Sequence, residues 1–406
     1  MKNDQNKSRR NFLKKTGLVA TAAVFGGGSL IAGDKKVSES TSLKNTEPIF
    51  RTLGKTGIKV PVVSSGAIPT DNDNLVKAML RSGMVHFDSA YIYGNGKVDA
   101  KLGELMQEFN REDYILSTKL KPDTDRSTGL LNEGASIDEF KQQFDTSLER
   151  LKTEYVDILY THAVSKKEIV LNPGYIAVLE EYKKEGKARA IGVSAHNNVP
   201  EVLYSAIEAK VYDVVLIAIN YLHTEIDEIK KAVAEANKAG LGIVAMKVLA
   251  GLRDTKKDFN LIDKKAALKW VLQDENIHTA ILSVKTYDDL ENYLAVMNDI
   301  SMTDEENAAL DKFRETASLY CSGCTTCIPQ CPYGVEIPDY MRAYMYAYGY
   351  KDLNKSATTL SGYNSDKAEQ CNLCPVCNVQ CKSGFNVRER INDINRLRTV
   401  PTDLLV

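Results

Sequence analysis

Short apolar runs alternate with segments of helical periodicity from residue 51 to about residue 314. The runs that predict strands are 62–68, 84–89, 114–120, 155–161, 188–194, 214–220, 242–248 and 279–284. Between them lie amphipathic segments that predict helices, among them 136–151, 174–185, 225–239 and 263–273. In the third of these, Ile226, Ile229, Val233 and Ala236 follow one another at intervals of three, four and three, which places them on one helix face.

The strand candidates contain almost no polar residues, as in the run 214–219. Such runs are typical of parallel strands that are buried on both faces. Eight strand–helix repeats over about 260 residues predict a closed barrel of eight parallel strands, a TIM barrel in the α/β class. A doubly wound sheet is the alternative, but no Gly-x-Gly-x-x-Gly follows the first predicted strand.

Composition limits the classes of function. The 406 residues include 52 Lys and Arg against 54 Asp and Glu, for a net charge of −2, which argues against a nucleic-acid-binding protein. A hydrophobic content of 43% is that of a globular protein. The length exceeds what one core supports, so we expect a second, smaller domain. The predicted division is a signal segment 1–33, a linker 34–48, a barrel 49–315 and a C-terminal domain 316–406.

The N-terminus has the pattern of an export signal. Ser8-Arg9-Arg10-Asn11-Phe12-Leu13-Lys14 precedes an uncharged stretch of about 18 residues, 16–33, which is the form of a twin-arginine signal. The alternative is a membrane anchor, but five glycines make this stretch a poor stable span, so the mature protein is predicted to have none. The expected location is the periplasm, with membrane association if the signal stays uncleaved. No clean cleavage site precedes residue 33.

The eight cysteines form two runs of identical spacing, C-x2-C-x2-C-x3-C, near the C-terminus. This is the spacing of bacterial ferredoxins, in which the fourth cysteine of each run ligates the other cluster. It predicts two 4Fe–4S clusters in a small helical ferredoxin-like domain. The predicted ligands are Cys321, Cys324, Cys327 and Cys381 for the first cluster, and Cys371, Cys374, Cys377 and Cys331 for the second. Zinc and a disulfide framework are the alternatives; two identical four-cysteine runs argue against zinc, and an export route for folded proteins argues against disulfides.

The insert between the two cysteine runs, residues 331–371, is longer than in minimal ferredoxins. It is rich in tyrosine, which we expect to pack against the barrel rather than to carry electrons. The residues are Tyr340, Tyr344, Tyr346, Tyr348 and Tyr350.

Polar residues stand at the ends of the predicted barrel strands, where barrels of this type place their chemistry. Singly, each has a structural explanation such as a helix cap or a buried histidine. Together they form a candidate proton-transfer site at one mouth of the barrel. They are Asp88, Tyr93, Lys119, His162, Ser194, Asn220 and Lys247.

The motifs around these residues resemble the aldo/keto reductase superfamily over the whole barrel. They are Phe87-Asp88-Ser89-Ala90 with Tyr93-Gly94, Leu116-Ser117-Thr118-Lys119, Asp157-Ile158-Leu159-Tyr160-Thr161-His162, Gly186 to Ser194, and Leu290-Glu291-Asn292. The resemblance implies a catalytic tetrad of Asp88, Tyr93, Lys119 and His162. It also implies a small carbonyl or alcohol substrate and reversible hydride transfer with NADP or NAD.

Physical chemistry fits these roles. A free tyrosine, with a pKa near 10, is a weak acid at neutral pH. A neighbouring Lys119 ammonium would lower that pKa, and Asp88 would keep the lysine charged. His162 would donate to the substrate oxygen or orient it.

The resemblance further implies a set of nucleotide contacts. Ser194 and Asn220 match the positions that hold the carboxamide, and the loop after the eighth strand matches the site of the adenosine phosphate. Lys285 there favours NADP. Met246 stands where a tyrosine commonly stacks on the nicotinamide, and a thioether also packs well on an aromatic ring. The full set is Ser194, Asn220, Met246, Lys247, Ser283, Lys285, Thr286, Glu291 and Asn292.

Three interpretations combine barrel and clusters. In the first, an exported oxidoreductase holds its nucleotide tightly and the clusters connect it to a redox partner protein or electron carrier. In the second, the clusters are structural and the barrel is a conventional reductase. In the third, the barrel is a non-catalytic scaffold in an iron–sulfur electron-transfer or interaction subunit. A preserved tetrad favours catalysis over the scaffold.

Overall fold

We analysed a computed structural model of the chain. It describes residues 47–66, 72–125, 128–223, 225–249, 264–316, 321, 325–349, 352–381 and 384–401. The predicted signal segment 1–33, nearly all of the linker 34–48 and the predicted ligand Cys324 lie outside the described residues.

Eight parallel strands close into a barrel, as the alternating pattern predicts. The strands are β3 (Val63–Gly66), β4 (His86–Asp88), β5 (Ile115–Leu120), β6 (Val156–Thr161), β7 (Ala188–Ala195), β8 (Val214–Ala218), β9 (Gly242–Met246) and β10 (Thr279–Leu282). Each strand pairs with the next along the chain, and β10 closes on β3. Every strand lies inside its predicted run or extends past it by one residue. This agreement arises because the runs are buried on both faces and carry the strongest hydrophobic signal in the chain.

The barrel helices follow the amphipathic segments. They are α1 (Asp73–Arg81), α2 (Lys97–Met106), α3 (Ile137–Leu151), α4 (Lys167–Val170), α5 (Pro173–Lys184), α6 (Val199–Ala209), α7 (Ile226–Lys238), α8 (Lys264–Leu272), α9 (Tyr287–Asn298) and α10 (Asp304–Thr316). Side-chain caps fix several starts: Ser136 accepts from the Glu139 amide before α3, and Asn172 accepts from two amides before α5.

An antiparallel hairpin precedes the barrel and was not predicted. It pairs β1 (Phe50–Thr52) with β2 (Lys59–Pro61). Its apolar residues Leu53 and Val60 belong to the same buried cluster as Tyr160 and Leu216 of the barrel interior. The hairpin therefore closes one end of the barrel and leaves the opposite end as its mouth. Three-residue strands with one buried side are too short to stand out by periodicity.

The C-terminal domain is helical and has its own core. Its helices are α11 (Ile337–Tyr344), α12 (Leu353–Ser361), α13 (Ser365–Leu373) and α14 (Val387–Asn395), with a π-helical turn at Met345–Gly349. Tyr340 is buried in that core with Ile391 and Ile394, and its hydroxyl oxygen accepts from Arg398 at 2.9 Å. The expectation that this tyrosine packs against the barrel is therefore wrong, because the insert supplies the core of the C-terminal domain.

No helix in the described part of the chain combines the length and the apolar character needed to cross a bilayer.

Candidate functional site

Four polar side chains of the predicted tetrad meet at the carboxyl ends of neighbouring strands. Asp88 is the last residue of β4, Lys119 lies near the end of β5, and His162 directly follows β6. The register pairs Asp88 with Ser117 and Lys119 with Tyr160, so the three side chains lie on adjacent strands at similar height. Tyr93 reaches them from the turn that follows β4.

Lys119 and Asp88 form a buried ion pair. Their side chains are 1% and 3% exposed, and the Lys119 ammonium donates to the Asp88 carboxylate and, at 2.5 Å, to the carbonyl oxygen of Ser89. Burial acts to lower the pKa of Lys119, but the charges and hydrogen bonds of Asp88 and Tyr93 outweigh it and raise that pKa. The lysine therefore stays protonated at neutral pH although it is buried.

Tyr93 lies over this ammonium group. The Lys119 Nζ is 4.9 Å from the Tyr93 ring centroid, and the two side chains are also hydrogen bonded. The Tyr93 ring is only partly buried. A turn of three successive residues with positive φ, Gly94, Asn95 and Gly96, reverses the chain here and starts α2. The phenol thus has a cation on one side and the open mouth on the other.

His162 completes the group as a neutral imidazole. Its ring centroid is 5.8 Å from that of Tyr93, edge to face. Burial, followed by the charge of Lys119, lowers the pKa of His162 to about 2. Its Nδ1 has no hydrogen-bond partner among the described residues. A neutral imidazole donates through one nitrogen and accepts through the other, so His162 can donate to a substrate oxygen.

A chain of hydrogen bonds leads from inside the barrel to Asp88. Ser117 Oγ donates to Asp88 at 2.6 Å and contacts His86 Nε2 at 3.1 Å, while His86 Nδ1 contacts Ser64 Oγ at 3.1 Å. A hydroxyl has one proton to donate. Because Ser117 donates its proton to Asp88, His86 Nε2 must donate to Ser117, and Nδ1 must accept from Ser64. Burial lowers the pKa of His86 to about 4, which keeps it neutral.

His86 and Ser117 were not among the site residues predicted from the sequence. The signal was present, because each stands two residues before a predicted catalytic residue, Asp88 or Lys119. Alternate residues of a strand share a face, so polar residues at that spacing point into the barrel with the tetrad. Inside such apolar runs they stand out.

The predicted carboxamide and ring contacts line the same mouth. Ser194, at the end of β7, accepts from the Ala163 amide at 2.9 Å, which leaves its proton free to donate. Asn220 follows β8, accepting from the Leu222 amide at 3.0 Å and donating to the Lys247 carbonyl at 3.3 Å. Met246, 7% exposed, ends β9.

The predicted phosphate and adenine contacts surround the start of α9. Thr286 caps this helix: its hydroxyl oxygen accepts from the Asp289 amide at 3.0 Å, and the Asp289 carboxylate accepts from the Thr286 and Lys285 amides, each at 3.2 Å. The Lys285 side chain is exposed, as is Ser283, and Glu291 and Asn292 are half-buried on the first turns of the helix. This segment has a defined structural role beside any nucleotide contact.

The four thiols assigned to the second predicted cluster line one cavity; we call them the second thiol group. They are Cys331, Cys371, Cys374 and Cys377. Ile337, Val387 and Ile391 form part of its wall. Burial, followed by the neighbouring thiols of this group, raises the pKa of Cys371 to about 11. A cavity lined by four thiols and apolar side chains fits an iron–sulfur cube.

The described members of the first predicted set also lie together. Cys321 and Cys381 both act electrostatically on the Arg390 guanidinium, which stacks 3.9 Å over the Phe385 ring centroid. Cys327 is buried in the same core. The seven described cysteines are in the reduced state, with no disulfide among them.

The C-terminal domain lies near the barrel mouth. Although the Lys247 side chain still reaches solvent, partial burial and the charges of Arg342 on α11 and Lys355 on α12 lower its pKa to about 8. Arg342 also contributes to lowering the pKa of His196, after burial, Lys247 and Lys119, to about 3. The His196 ring is 6.3 Å from that of His162. Arg342 and Lys355 of the C-terminal domain are therefore close enough to the mouth to act electrostatically on Lys247, and Arg342 also acts on His196.

Two family models match consecutive parts of the chain. Residues 65–265 match the Aldo/keto reductase family, and residues 320–386 match a 4Fe-4S dicluster domain. The chain thus joins a region similar to aldo/keto reductases to a region similar to 4Fe-4S dicluster domains. The first match contains the whole tetrad, and the second contains all eight cysteines.

Curated relatives of this part of the chain include dehydrogenases and reductases, and also a probable voltage-gated potassium channel subunit beta of Arabidopsis thaliana, 32% identical over 123 residues, 28% of this chain and 37% of that protein. L-Galactose dehydrogenase of Arabidopsis thaliana is 34% identical over 162 residues, 36% of this chain and 48% of the relative, so the match spans about half of that protein. L-Glyceraldehyde 3-phosphate reductase of Escherichia coli O157:H7 is 25% identical over 324 residues, 65% of this chain and 91% of the relative.

Solved structures agree on the fold. An aldo-keto reductase from Klebsiella pneumoniae in complex with NADPH superposes with a TM-score of 0.52 at 19% identity, covering 66% of this chain and 95% of that one. At this identity the likeness supports the barrel fold alone.

Proposed function

We propose that the barrel interconverts a small carbonyl compound and its alcohol by reversible hydride transfer, with NADP or NAD as cofactor. The observation that carries this proposal is the buried Lys119–Asp88 ion pair directly beneath the Tyr93 phenol, beside a neutral imidazole in an open mouth. This arrangement supplies the two things that a carbonyl oxygen needs as it becomes an alkoxide, a proton and a hydrogen-bond donor.

The nicotinamide, when bound, supplies the hydride to the carbonyl carbon. Tyr93 gives its phenolic proton to the oxygen of the substrate. Lys119 stabilises the phenolate that remains, because a cation beside an acid favours its ionised form. In the oxidation direction the same phenolate takes the proton of the alcohol.

His162 and Asp88 complete the proposed machinery. His162 donates a hydrogen bond to the substrate oxygen; being neutral, it adds no positive charge that would compete with Lys119. Asp88 keeps Lys119 protonated, and the donor chain through Ser117 and His86 holds the Asp88 carboxylate in place beside the ammonium group.

The mouth fits a nicotinamide nucleotide. Ser194 has a proton to donate, Asn220 is held at the rim, and Met246 offers an apolar surface against which an aromatic ring packs. Lys285 and Ser283 are exposed at the end of β10, where barrels of this type bind phosphate. We propose these residues, with Lys247, Thr286, Glu291 and Asn292, as the nucleotide site, and Lys285 as the reason to expect NADP.

We propose further that the C-terminal domain holds two redox-active 4Fe–4S clusters and passes electrons between the barrel and a partner protein. Two one-electron clusters match the two electrons of one hydride. The nearness of Arg342 to Lys247 supports this role, since it brings the C-terminal domain to the mouth where the nicotinamide would lie. Beside the second thiol group, Leu373 and Val376 are 76% and 68% exposed. That surface is open to a partner.

We propose that the protein works in the periplasm after export by the twin-arginine route, with its nucleotide loaded beforehand. The support is the Ser8 to Lys14 motif. A nucleotide that exchanged freely would be lost outside the cytoplasm, so this location requires tight binding.

The alternative of a non-catalytic scaffold has a physical objection. A buried ion pair costs desolvation free energy that apolar residues would avoid. Lys119 and Asp88 are both almost wholly buried, and a chain of buried hydrogen bonds supports them. A scaffold has no need of this network.

The test is a nucleotide assay on the protein purified anaerobically from the exported fraction. We expect about one NADP or NAD per chain to be released on denaturation, and about eight irons per chain in the intact protein. An iron-loaded protein that holds no nucleotide and reduces no carbonyl compound when NADPH or NADH is added would support the scaffold instead. Protein found only in the cytoplasm would refute the export.

A further inference from the structure

Arg388, on the helix α14, contacts the segment 371–375 beside the second thiol group. Its Nε donates to the carbonyl oxygen of Cys371 at 2.8 Å, and its two terminal nitrogens lie 3.4 Å and 3.5 Å from the carbonyl oxygens of Pro375 and Asn372. The same side chain forms part of the wall of the cavity that the four thiols line. One guanidinium thus contacts three positions of the segment 371–377, which carries three of the four thiols.

The charge of this group is fixed. Arginine stays protonated at any pH at which the protein is folded. Adding one electron to a 4Fe–4S cluster adds one negative charge to it, and a fixed cation at the wall of its cavity favours the more negative state. Cluster potentials respond to net charge and hydrogen bonding in this way.

We propose that Arg388 is a positioning residue for the second cluster: its hydrogen bonds hold residues 371–375, the end of α13 and the residues that follow it, around the thiols, and its charge raises the reduction potential of that cluster. The inference rests on the proposed electron-transfer role of the clusters. By this mechanism the second cluster, the one beside the exposed Leu373 and Val376, is more easily reduced than it would be without Arg388.

The experiment is a redox titration of the full-length, iron-loaded protein, followed by electron paramagnetic resonance with dithionite as the one-electron reductant. Arg388→Gln removes the charge and keeps a donor, whereas Arg388→Lys keeps the charge. Arg396→Gln is the matched control, because this substitution removes the same charge from a side chain that is 79% exposed. Arg396 forms an ion pair with Asp393 at 3.5 Å. Iron content is measured on every variant.

We expect Arg388→Gln to lower the midpoint potential of one cluster and leave the other unchanged. Arg388→Lys should restore most of the shift, and Arg396→Gln should cause none. An iron-replete Arg388→Gln protein with both potentials unchanged would overturn the role of the charge. Equal shifts in the Lys and Gln variants would also overturn it, since a role limited to loop geometry predicts that outcome.

Loss of iron in Arg388→Gln would support the proposed role of the Arg388 hydrogen bonds in holding residues 371–375. The effect of the charge on the reduction potential would then be tested with Arg388→His. In that variant the potential of the second cluster should fall as the imidazole loses its proton with rising pH. A potential that follows the pH dependence of the wild type would refute the effect of the charge. Wild-type clusters that dithionite cannot reduce at all would instead refute the proposed electron transfer, so the two failures are distinct.

Discussion

Lys119 donates a hydrogen bond to Asp88 from a position in which both side chains are almost completely buried. The pair lies between two different environments. Above it are Tyr93 and the mouth of the barrel, and below it is a directional chain of hydroxyl and imidazole hydrogen bonds. The ammonium group is thereby held charged at the one point where a tyrosine needs a cation.

Replacing Tyr93 with phenylalanine should abolish carbonyl reduction and leave the clusters intact. The variant loses the proposed general acid, a contribution of roughly 10²- to 10⁴-fold in kcat. The assay is turnover with NADPH or NADH, together with the visible absorbance of the clusters. Tyr204→Phe, at a tyrosine that is 39% exposed on α6, is the control. Turnover of Tyr93→Phe near that of the control would refute the tetrad.

Removing one partner of the buried ion pair should destabilise the barrel. Lys119→Met leaves the Asp88 carboxylate buried without its cation, which costs roughly 3–5 kcal/mol in the free energy of unfolding. The double variant Lys119→Met/Asp88→Asn removes both charges and should recover much of that loss while staying inactive. Urea denaturation followed by circular dichroism measures both. Equal stabilities of the single and double variants would contradict the coupling between the two charges.

Stability should fall as the pH drops below about 6.5, before most carboxylates titrate. Burial lowers the pKa of His86 to about 4, so the folded state binds fewer protons than the unfolded state between pH 6.5 and pH 4. The contribution is complete above pH 6.5 and is lost as the pH falls towards 4; at pH 5 the loss is about 2 kcal/mol. We expect urea denaturation to show a loss of at least this size between pH 7 and pH 5, because His162 and His196, with pKa values lowered to about 2 and about 3, act in the same direction. The His86→Gln variant has no imidazole at this position. Its free energy of unfolding should therefore fall by about 2 kcal/mol less than that of the wild type between pH 7 and pH 5.

Substitution of one thiol should remove one cluster only. Cys374→Ser takes one ligand from the second thiol group, so iron should fall from about eight to about four per chain. The far-ultraviolet circular dichroism of the barrel should not change, because the C-terminal domain has its own core. Loss of all iron, or of none, would contradict the separation of the thiols into two groups.

The barrel was predictable from the sequence because its signals are local. A run such as Val214–Ala218 is buried on both faces, and Ile229 and Val233 share a helix face, so neighbours along the chain reveal each element. The hairpin before β3 lacks such a signal, because its burial depends on contacts with the distant Tyr160 and Leu216. The packing of Tyr340 was mispredicted for the same reason.

The sequence also identified Asp88, Tyr93, Lys119 and His162 as a group, but it gave no account of how they are charged. Whether a buried lysine keeps its proton depends on what surrounds it, and here Asp88 and Tyr93 together outweigh burial. His86 illustrates the same limit, since its role depends on Ser64 and Ser117 from two other strands.

By itself the sequence determined the eight strands and the spacing of the thiols, because hydrophobic periodicity and ligand spacing are properties of consecutive residues. Only the tertiary structure decided that Arg388 contacts the segment beside the second thiol group and that Arg342 lies near Lys247 at the mouth. These relationships join residues far apart in the chain. They depend on the strength of electrostatic interactions in partly buried space, which no local pattern of residues encodes.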